Sequence, residues 1–232
     1  MAIYTFACTK AHRVDRTGVQ QLWPAIRSGV GNFGNDNACS TDIQTSPLFD
    51  SLYNSILRGI LTFDTSTLAG LLGTDSILSA TVRVKIASKQ NTLGLSDSNG
   101  GLSIVESLIK DSVFNNQKYN LGNINLASIA NTFNYSDLVI GNINTFTLNA
   151  AGRATIQTAG TSAFAIMSNI DVSGAAPVWG AGVRHAIALN GTYNNYALLT
   201  ITTGSTATSK SMGSGAATRR RLRTINRSSD II

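Results

Sequence analysis

The 232 residues are 43% hydrophobic but only 13% charged, about half the ~25% charged share of an ordinary soluble domain. Asn, Ser, Thr and Gly fill the gap, and with Glu106 the one glutamate and His12 and His185 the two histidines, the pattern points away from cytosolic metabolic enzymes toward outward-facing β-proteins. The net charge of +6 gathers at one end: residues 204–232 hold Lys210, Arg219, Arg220, Arg221, Arg223 and Arg227 against Asp230, a surplus of five that leaves about +1 for everything before them.

In chain order, Ile3 to Cys8 reads as a first strand. The opening residues carry neither a charged n-region nor an apolar h-region, so no signal peptide is expected, and no apolar run approaches the ~18 residues of a membrane span. Residues 9–50 lack clear periodicity apart from an apolar island at Leu22, Trp23, Pro24 and Ile26, and they predict a loop region that wraps the domain or reaches a neighbour. Cys8 and Cys39 are too few for a disulfide framework; they read as buried free thiols, with pairing left open.

The chain is organised around Leu57 to Ser88. Leu61 and Phe63 oppose Arg58, Thr62 and Asp64, and Ala80, Val82, Val84 and Ile86 alternate with Thr81, Arg83, Lys85 and Ala87. Period two over this length predicts half-buried strands, which need a second sheet to cover their apolar faces. After a turn cluster at Asp97–Gly101 the pattern gives a strand over Leu102–Leu108, a helical turn at Leu126–Ala130, a strand at Thr145–Leu148 and a short helix over Ala150–Ala159. Strands follow over Phe164–Ile170, Val183–Leu189 and Tyr196–Thr203. The expected fold is all-β, a sandwich or jelly roll of seven or eight strands with one or two short helices and extended terminal arms. Residues 1–50 form the N-terminal strand and wrapping region, 51–203 the sandwich, and 204–232 a basic arm whose Gly/Ser/Thr/Ala composition gives it no face to bury.

Arg58-Gly59-Ile60-Leu61-Thr62-Phe63-Asp64-Thr65-Ser66-Thr67-Leu68 followed by Ile77-Leu78-Ser79-Ala80-Thr81-Val82-Arg83-Val84 is similar to the signature of DNRLRE-type sandwich domains. There an Arg-led strand and FD turn precede a strand opened by I-x-S-A. Phe146-x-Leu148-Asn149, Ser162-Ala163-Phe164, Pro177-x-Trp179 and Leu198–Thr202 fit later landmarks, and Trp23-x-x-Ile26-Arg27-x-Gly29-x-Gly31 resembles the entry segment of the phage members. The resemblance covers roughly residues 20–203. It implies a stalk, adhesin or tailed-phage structural module and carries no catalytic motif.

Several residues invite sharper readings. Gly29-Val30-Gly31-Asn32-Phe33-Gly34 matches GxGxxG, but without a strand before and a helix after it reads as a Gly-rich loop, and no cofactor is expected. Arg219, Arg220, Arg221, Arg223 and Arg227 suit bidentate pairing with carboxylates of a neighbouring protein. No aromatic interleaves them, so nucleic acid is not the expected partner. His185 reads as a hydrogen-bonded core histidine, Asp64 as a turn cap or a partner of Arg58, and Asp97-Ser98-Asn99-Gly100 as a turn rather than a calcium loop. A carboxylate pair would have to join Asp64 to Asp171 or Glu106. Trp23, Trp179, Tyr193 and Tyr196 could together make a sugar-stacking platform, with Trp179, Tyr193 and Tyr196 its exposed face, or else anchor the core or rim of the sandwich.

From these, the expectation is a non-enzymatic structural protein on the exterior of a tailed-phage virion, made in the host cytoplasm: a capsid decoration, collar or tail component anchored by its arms. Its partners would be the major capsid or tail and collar proteins and further copies of itself, with no membrane, metal or cofactor. The alternative is a carbohydrate-binding or adhesin-like module for cell-surface recognition.

Overall fold

The computed structural model describes residues 1–36, 38–111, 113, 115–189 and 197–205. Among these residues, eleven strands, all antiparallel, make up one extended sheet: β1 (Ala2–Gln21), β2 (Phe33–Asn35), β3 (Ser40–Thr45), β4 (Tyr53–Asp64), β5 (Ser76–Asn91), β6 (Leu102–Ser107), β7 (Ile124–Asn125), β8 (Ile143–Thr147), β9 (Thr161–Ser168), β10 (Arg184–Leu189) and β11 (Ala197–Gly204). Four short helices punctuate them: α1 (Trp23–Ser28), α2 (Leu68–Leu72), α3 (Ala150–Ala154) and α4 (Asn169–Ser173). The expected all-β sandwich class is what the chain adopts. No helix among the described residues is long and apolar enough to cross a membrane.

Two long strands turn the sheet into layers. β1 pairs with β11 over Ala2–Ala7 and with β4 from Cys8 to Gln21, with irregularities between Cys8 and Lys10 and between Thr17 and Gln21. β5 pairs with β11 and β8 in its first part. Past a bulge, where Ser88 faces Ala188 and Ile86 faces Leu189, its last part pairs with β10. β10 joins β3 and β3 joins β4, so β1, β11, β5, β10, β3 and β4 close into a ring. Closure removes the edges that an open sheet would present. β4 then continues sideways through β9, β6 and β7.

Alternation sends Leu61 and Phe63 of β4, Phe164 and Ile166 of β9, and Val82 and Val84 of β5 into one core together with Phe146, Leu199 and Ile201. The opposite faces of β4, β9 and β6 place Ile56, Ile60, Ala165, Met167 and Val105 in a second core. It is closed by Trp23 and Ile26 of α1, Ile170 of α4, and Tyr119 from a 3-10 turn at 116–119. β4 and β9 are therefore buried on both sides.

The region 9–50 departs from the expected irregular wrap. β1 runs on to Gln21, and β3 sits inside the ring. Lys10, His12, Arg13, Asp15 and Arg16 break any apolar period along this part of β1. Asp15 is nonetheless buried beside Arg13, and His12 is buried beside Asp36. In β3, Asp42 is buried with Arg184, and Thr45 donates to Val183 O. Leu126–Ala130 is not helical; Ala130 instead forms a bridge with Leu148. Ile170, expected to end a strand, lies in α4. Gly101 is required where the chain passes Phe133: a Cβ there would stand 1.8 Å from the Phe133 carbonyl oxygen, and Leu102 and Phe133 exchange backbone hydrogen bonds beside it.

Candidate functional site

The end of β1, the start of α1, the start of β4 and the loop after α4 converge on a cleft of about 360 Å³ lined by Leu22, Trp23, Pro24, Ser51, Tyr53, Ala176, Pro177 and Trp179. Trp23 and Tyr53 form its inner wall, their ring centroids 5.0 Å apart and tilted by 54°. Trp179, half-buried, stands opposite. Backbone carbonyls hold each ring: Trp23 Nε1 donates to Gly174 O at 3.0 Å, Tyr53 Oη to Pro177 O at 2.5 Å, and Trp179 Nε1 to Leu52 O at 3.1 Å. With their polar atoms engaged, the aromatics offer the cleft apolar surface.

Leu22 lines this cleft, and Leu48, Phe49 and Val178 belong to the 46–52 and 176–179 segments that supply Ser51, Ala176, Pro177 and Trp179 to it; each of the four is more than half exposed. The 46–52 loop that carries Leu48 and Phe49 is a built turn. Ser46 Oγ accepts from both of their amides, Leu52 donates to Phe49 O, and Gly182 N reaches back to Ser46 O. The fixed loop thus presents two large apolar side chains to water.

Beneath the cleft lies the charge that makes its floor rigid. Arg58, fully buried on β4, donates Nε to Asp171 Oδ2 at 2.7 Å and Nη2 to Oδ1 at 2.9 Å and to Arg27 O at 3.1 Å, and its Nη1 reaches Tyr119 O. Its guanidinium stacks 4.3 Å from the Tyr119 ring centroid. Arg27 Nε adds a third charged donor to Asp171 at 3.0 Å and covers Trp23. Burial opposes ionisation of Asp171, but Arg58 and Arg27 outweigh it and hold the carboxyl below its usual range.

A second concavity, about 400 Å³, opens where β1, β3, β4, β5 and β10 meet. The strand registers set Gln90, Ala186, Asp42, Leu57 and Asp15 in one row across five strands. Arg184 clamps Asp42 through Nε at 2.8 and 2.9 Å, and Arg13 lies 3.0 Å from Asp15. Burial pushes Asp15 up to about 6, against the pull of Arg13, and raises Asp42 as well. A carboxyl raised in the fold contributes stability that is fully present below its ordinary value of 3.8 and is lost as pH rises through about 6. The melting temperature of the wild type should therefore fall between pH 4 and pH 6 relative to Asp15→Asn. Identical pH profiles for the two proteins would refute this account.

Of the residues singled out as a sugar-stacking platform, Trp23 and Trp179 reach the aromatic cleft. Tyr193, Tyr196, Arg219, Arg220, Arg221, Arg223 and Arg227 lie outside the described residues. Asp64 caps its turn by accepting from Ser66 N at 3.0 Å, while Arg58 pairs with Asp171. Asp171 is thus enclosed by arginines rather than set beside a second carboxylate. The Gly29–Gly34 loop follows the C-terminus of α1 and leads into β2, the reverse of a phosphate-binding order. Asp97 pins the neighbouring loop by accepting from Ser136 N and Oγ. His185 is buried, with Nδ1 3.3 Å from Asn91 Oδ1, and burial pushes it down to about 4. Cys8 and Cys39 are buried free thiols, and burial pushes Cys8 up to about 12. Among the described residues no group of three or more His, Cys, Asp or Glu side chains is placed to hold a metal ion.

The cleft itself was missed in the sequence because Leu22, Tyr53 and Pro177 are far apart along the chain. The apolar island at Leu22–Ile26 and the Pro177-x-Trp179 stretch are its visible traces. No family model matches this chain, and no curated protein matches it in sequence.

Proposed function

We propose that this chain is a non-enzymatic structural protein on the exterior of a tailed-phage virion, a capsid decoration, collar or tail component. The observation that carries the reading is the exposed apolar side chains of Leu22, Leu48, Phe49 and Val178 on the segments that build the aromatic cleft, a surface suited to being covered by a neighbour. Three internal charge clusters, Arg58–Asp171–Arg27, Arg184–Asp42 and Arg13–Asp15, spend their groups on holding the fold. The surplus of positive charge after Ser205 supplies a second point of attachment, and the resemblance to DNRLRE-type domains supports the phage setting. Two weak attachments on one chain act together, so losing either lowers occupancy steeply.

Mass spectrometry of purified particles tests the reading through copy number. Hundreds of copies would make the protein a shell decoration, a few to a few dozen a vertex, collar or tail component, and absence from particles would overturn the reading. Truncation after Ser205, which keeps β11 whole, should lower incorporation about ten-fold or more while the body stays folded. Unchanged incorporation would sink the role of the arm.

One observation favours a second reading, a module that binds a cell-surface glycan: the partly exposed Trp179 ring beside Trp23 and Tyr53. Under that reading Trp179→Ala abolishes host adsorption and leaves incorporation intact. Under the first it impairs incorporation.

A further inference from the structure

Ring closure seals the strands of the barrel, but β8 lies off that path: it pairs with β5 on one side, and among the described residues its other side is covered only at its C-terminal end, by the bridge between Ala130 and Leu148. The hydrogen-bond phase of this pairing is fixed by Leu148 N donating to Ala80 O, so Phe146 and Asn144 turn their backbone groups toward β5 in alternation. The odd residues turn outward. Thr147 is capped there: its amide donates to Asn131 Oδ1 at 2.5 Å and its carbonyl accepts from Asn131 N at 3.2 Å. Ile143 and Thr145 have no such cap among the described residues, which leaves two N–H and two C=O groups facing water in a row. The usual protections of an edge, a lysine, a proline or a covering helix, are missing from this stretch. Instead Val139, Ile140 and Ile143, each about half exposed, surround it.

We propose that β8 pairs with β8 of a second copy of this chain, antiparallel about a twofold axis through Asn144, to join two sheets into one. The open groups are self-complementary in this register. Ile143 meets Thr145 of the partner subunit and exchanges both backbone hydrogen bonds with it, and symmetry repeats the exchange, so every open group finds a partner. Pairing stops short of Thr147, which Asn131 already occupies: Gly141, which would face it, turns back to its own sheet by donating to Ile86 O at 2.8 Å. Val139 and Ile140 are then covered at the two ends. Charge does not oppose the contact. Arg83 and Lys85, opposite Thr145 and Ile143, sit one strand in from the edge, so the two β5 strands lie about 14 Å apart at ~4.8 Å per spacing, beyond the ~8–10 Å screening length. The pairing stands independently of the virion reading, since it uses the edge of the body and neither the cleft nor the arm.

Light scattering on the full chain across a concentration series, with amide hydrogen exchange, tests it. The wild type should dimerise, and the Ile143 and Thr145 amides should be protected in the dimer and exchange freely on dilution. Thr145→Pro removes an N–H that the monomer does not use. It should leave the melting temperature unchanged and raise the dimer dissociation constant about 30-fold or more, because symmetry deletes two hydrogen bonds. Ile143→Lys, which restores a common edge protection, should do likewise. A wild type that is monomeric throughout, or a dimer whose Ile143 and Thr145 amides exchange freely, overturns the proposal. So does a dimer that survives both substitutions but is lost on truncation after Ser205, since the arm would then be the connector.

Discussion

Asp171→Ala should cost the folded body about 3–5 kcal/mol, the range for removing one partner of a buried ion pair. The loss would come less from the missing attraction than from what remains. Arg58 is 0% exposed, has no route to water, and would keep a full charge with its Nε and one Nη2 hydrogen bond unmade. Arg27, less deeply buried, can swing outward and would uncover Trp23 as it does. Urea denaturation would measure the loss. The diagnostic comparison is the double variant Arg58→Met/Asp171→Ala, which should be more stable than Asp171→Ala alone because the orphaned charge is gone. The wild type should also lose stability as pH falls through the depressed pKa of Asp171, below its ordinary 3.8. A single variant within about 1 kcal/mol of wild type would refute the role given to this cluster.

Phe146→Ala should be comparably damaging, at about 3–5 kcal/mol. The ring is fully buried where β8 crosses Val82 of β5, and it meets Phe133 edge-on with centroids 4.7 Å apart. Truncation would leave a void between the sheet and the loop bearing Phe133, whose backbone is fixed to Leu102, so the surroundings cannot collapse to fill it. Thr145→Ala, one residue away on the exposed face, should change stability by less than about 0.5 kcal/mol. Equal effects at the two positions in thermal or urea unfolding would contradict the assignment of faces. The edge proposed for dimerisation belongs to the same strand, so Phe146→Ala should weaken dimerisation too, but only together with a drop in melting temperature, which Thr145→Pro does not share.

The parts of the fold legible in the sequence are those where one face is apolar and the other is not. β5 from Ala80 to Ile86, β10 from His185 to Leu189 and the second half of β4 all lie within the spans the alternation predicts, with Leu61, Phe63, Val82, Val84, Ile187 and Leu189 buried. His185 interrupts its row chemically but not geometrically, which is why it reads correctly as a core residue. The second half of β1 and the whole of β3 were illegible for the converse reason. Asp15, Asp42, Thr41 and Thr45 are buried polar groups, and three of them have side-chain partners: Asp15 holds Arg13, Asp42 holds Arg184 from β10, and Thr45 bonds to backbone near Val183. Two of these partners stand more than 130 residues away. A residue whose burial depends on such a partner looks like a loop residue until the partner is in place.

The sequence by itself determined the all-β class, the strands at its centre and the uneven charge, because these rest on local period and composition. Tertiary structure alone decided the rest. It closed six strands into a ring, buried Arg58 against Asp171, brought Trp23, Tyr53 and Trp179 into one cleft, and left Ile143 and Thr145 as an open edge. Each of these depends on which distant strand supplies the neighbouring hydrogen bonds and charges. That choice is made by the burial of the whole chain at once, and no local pattern records it.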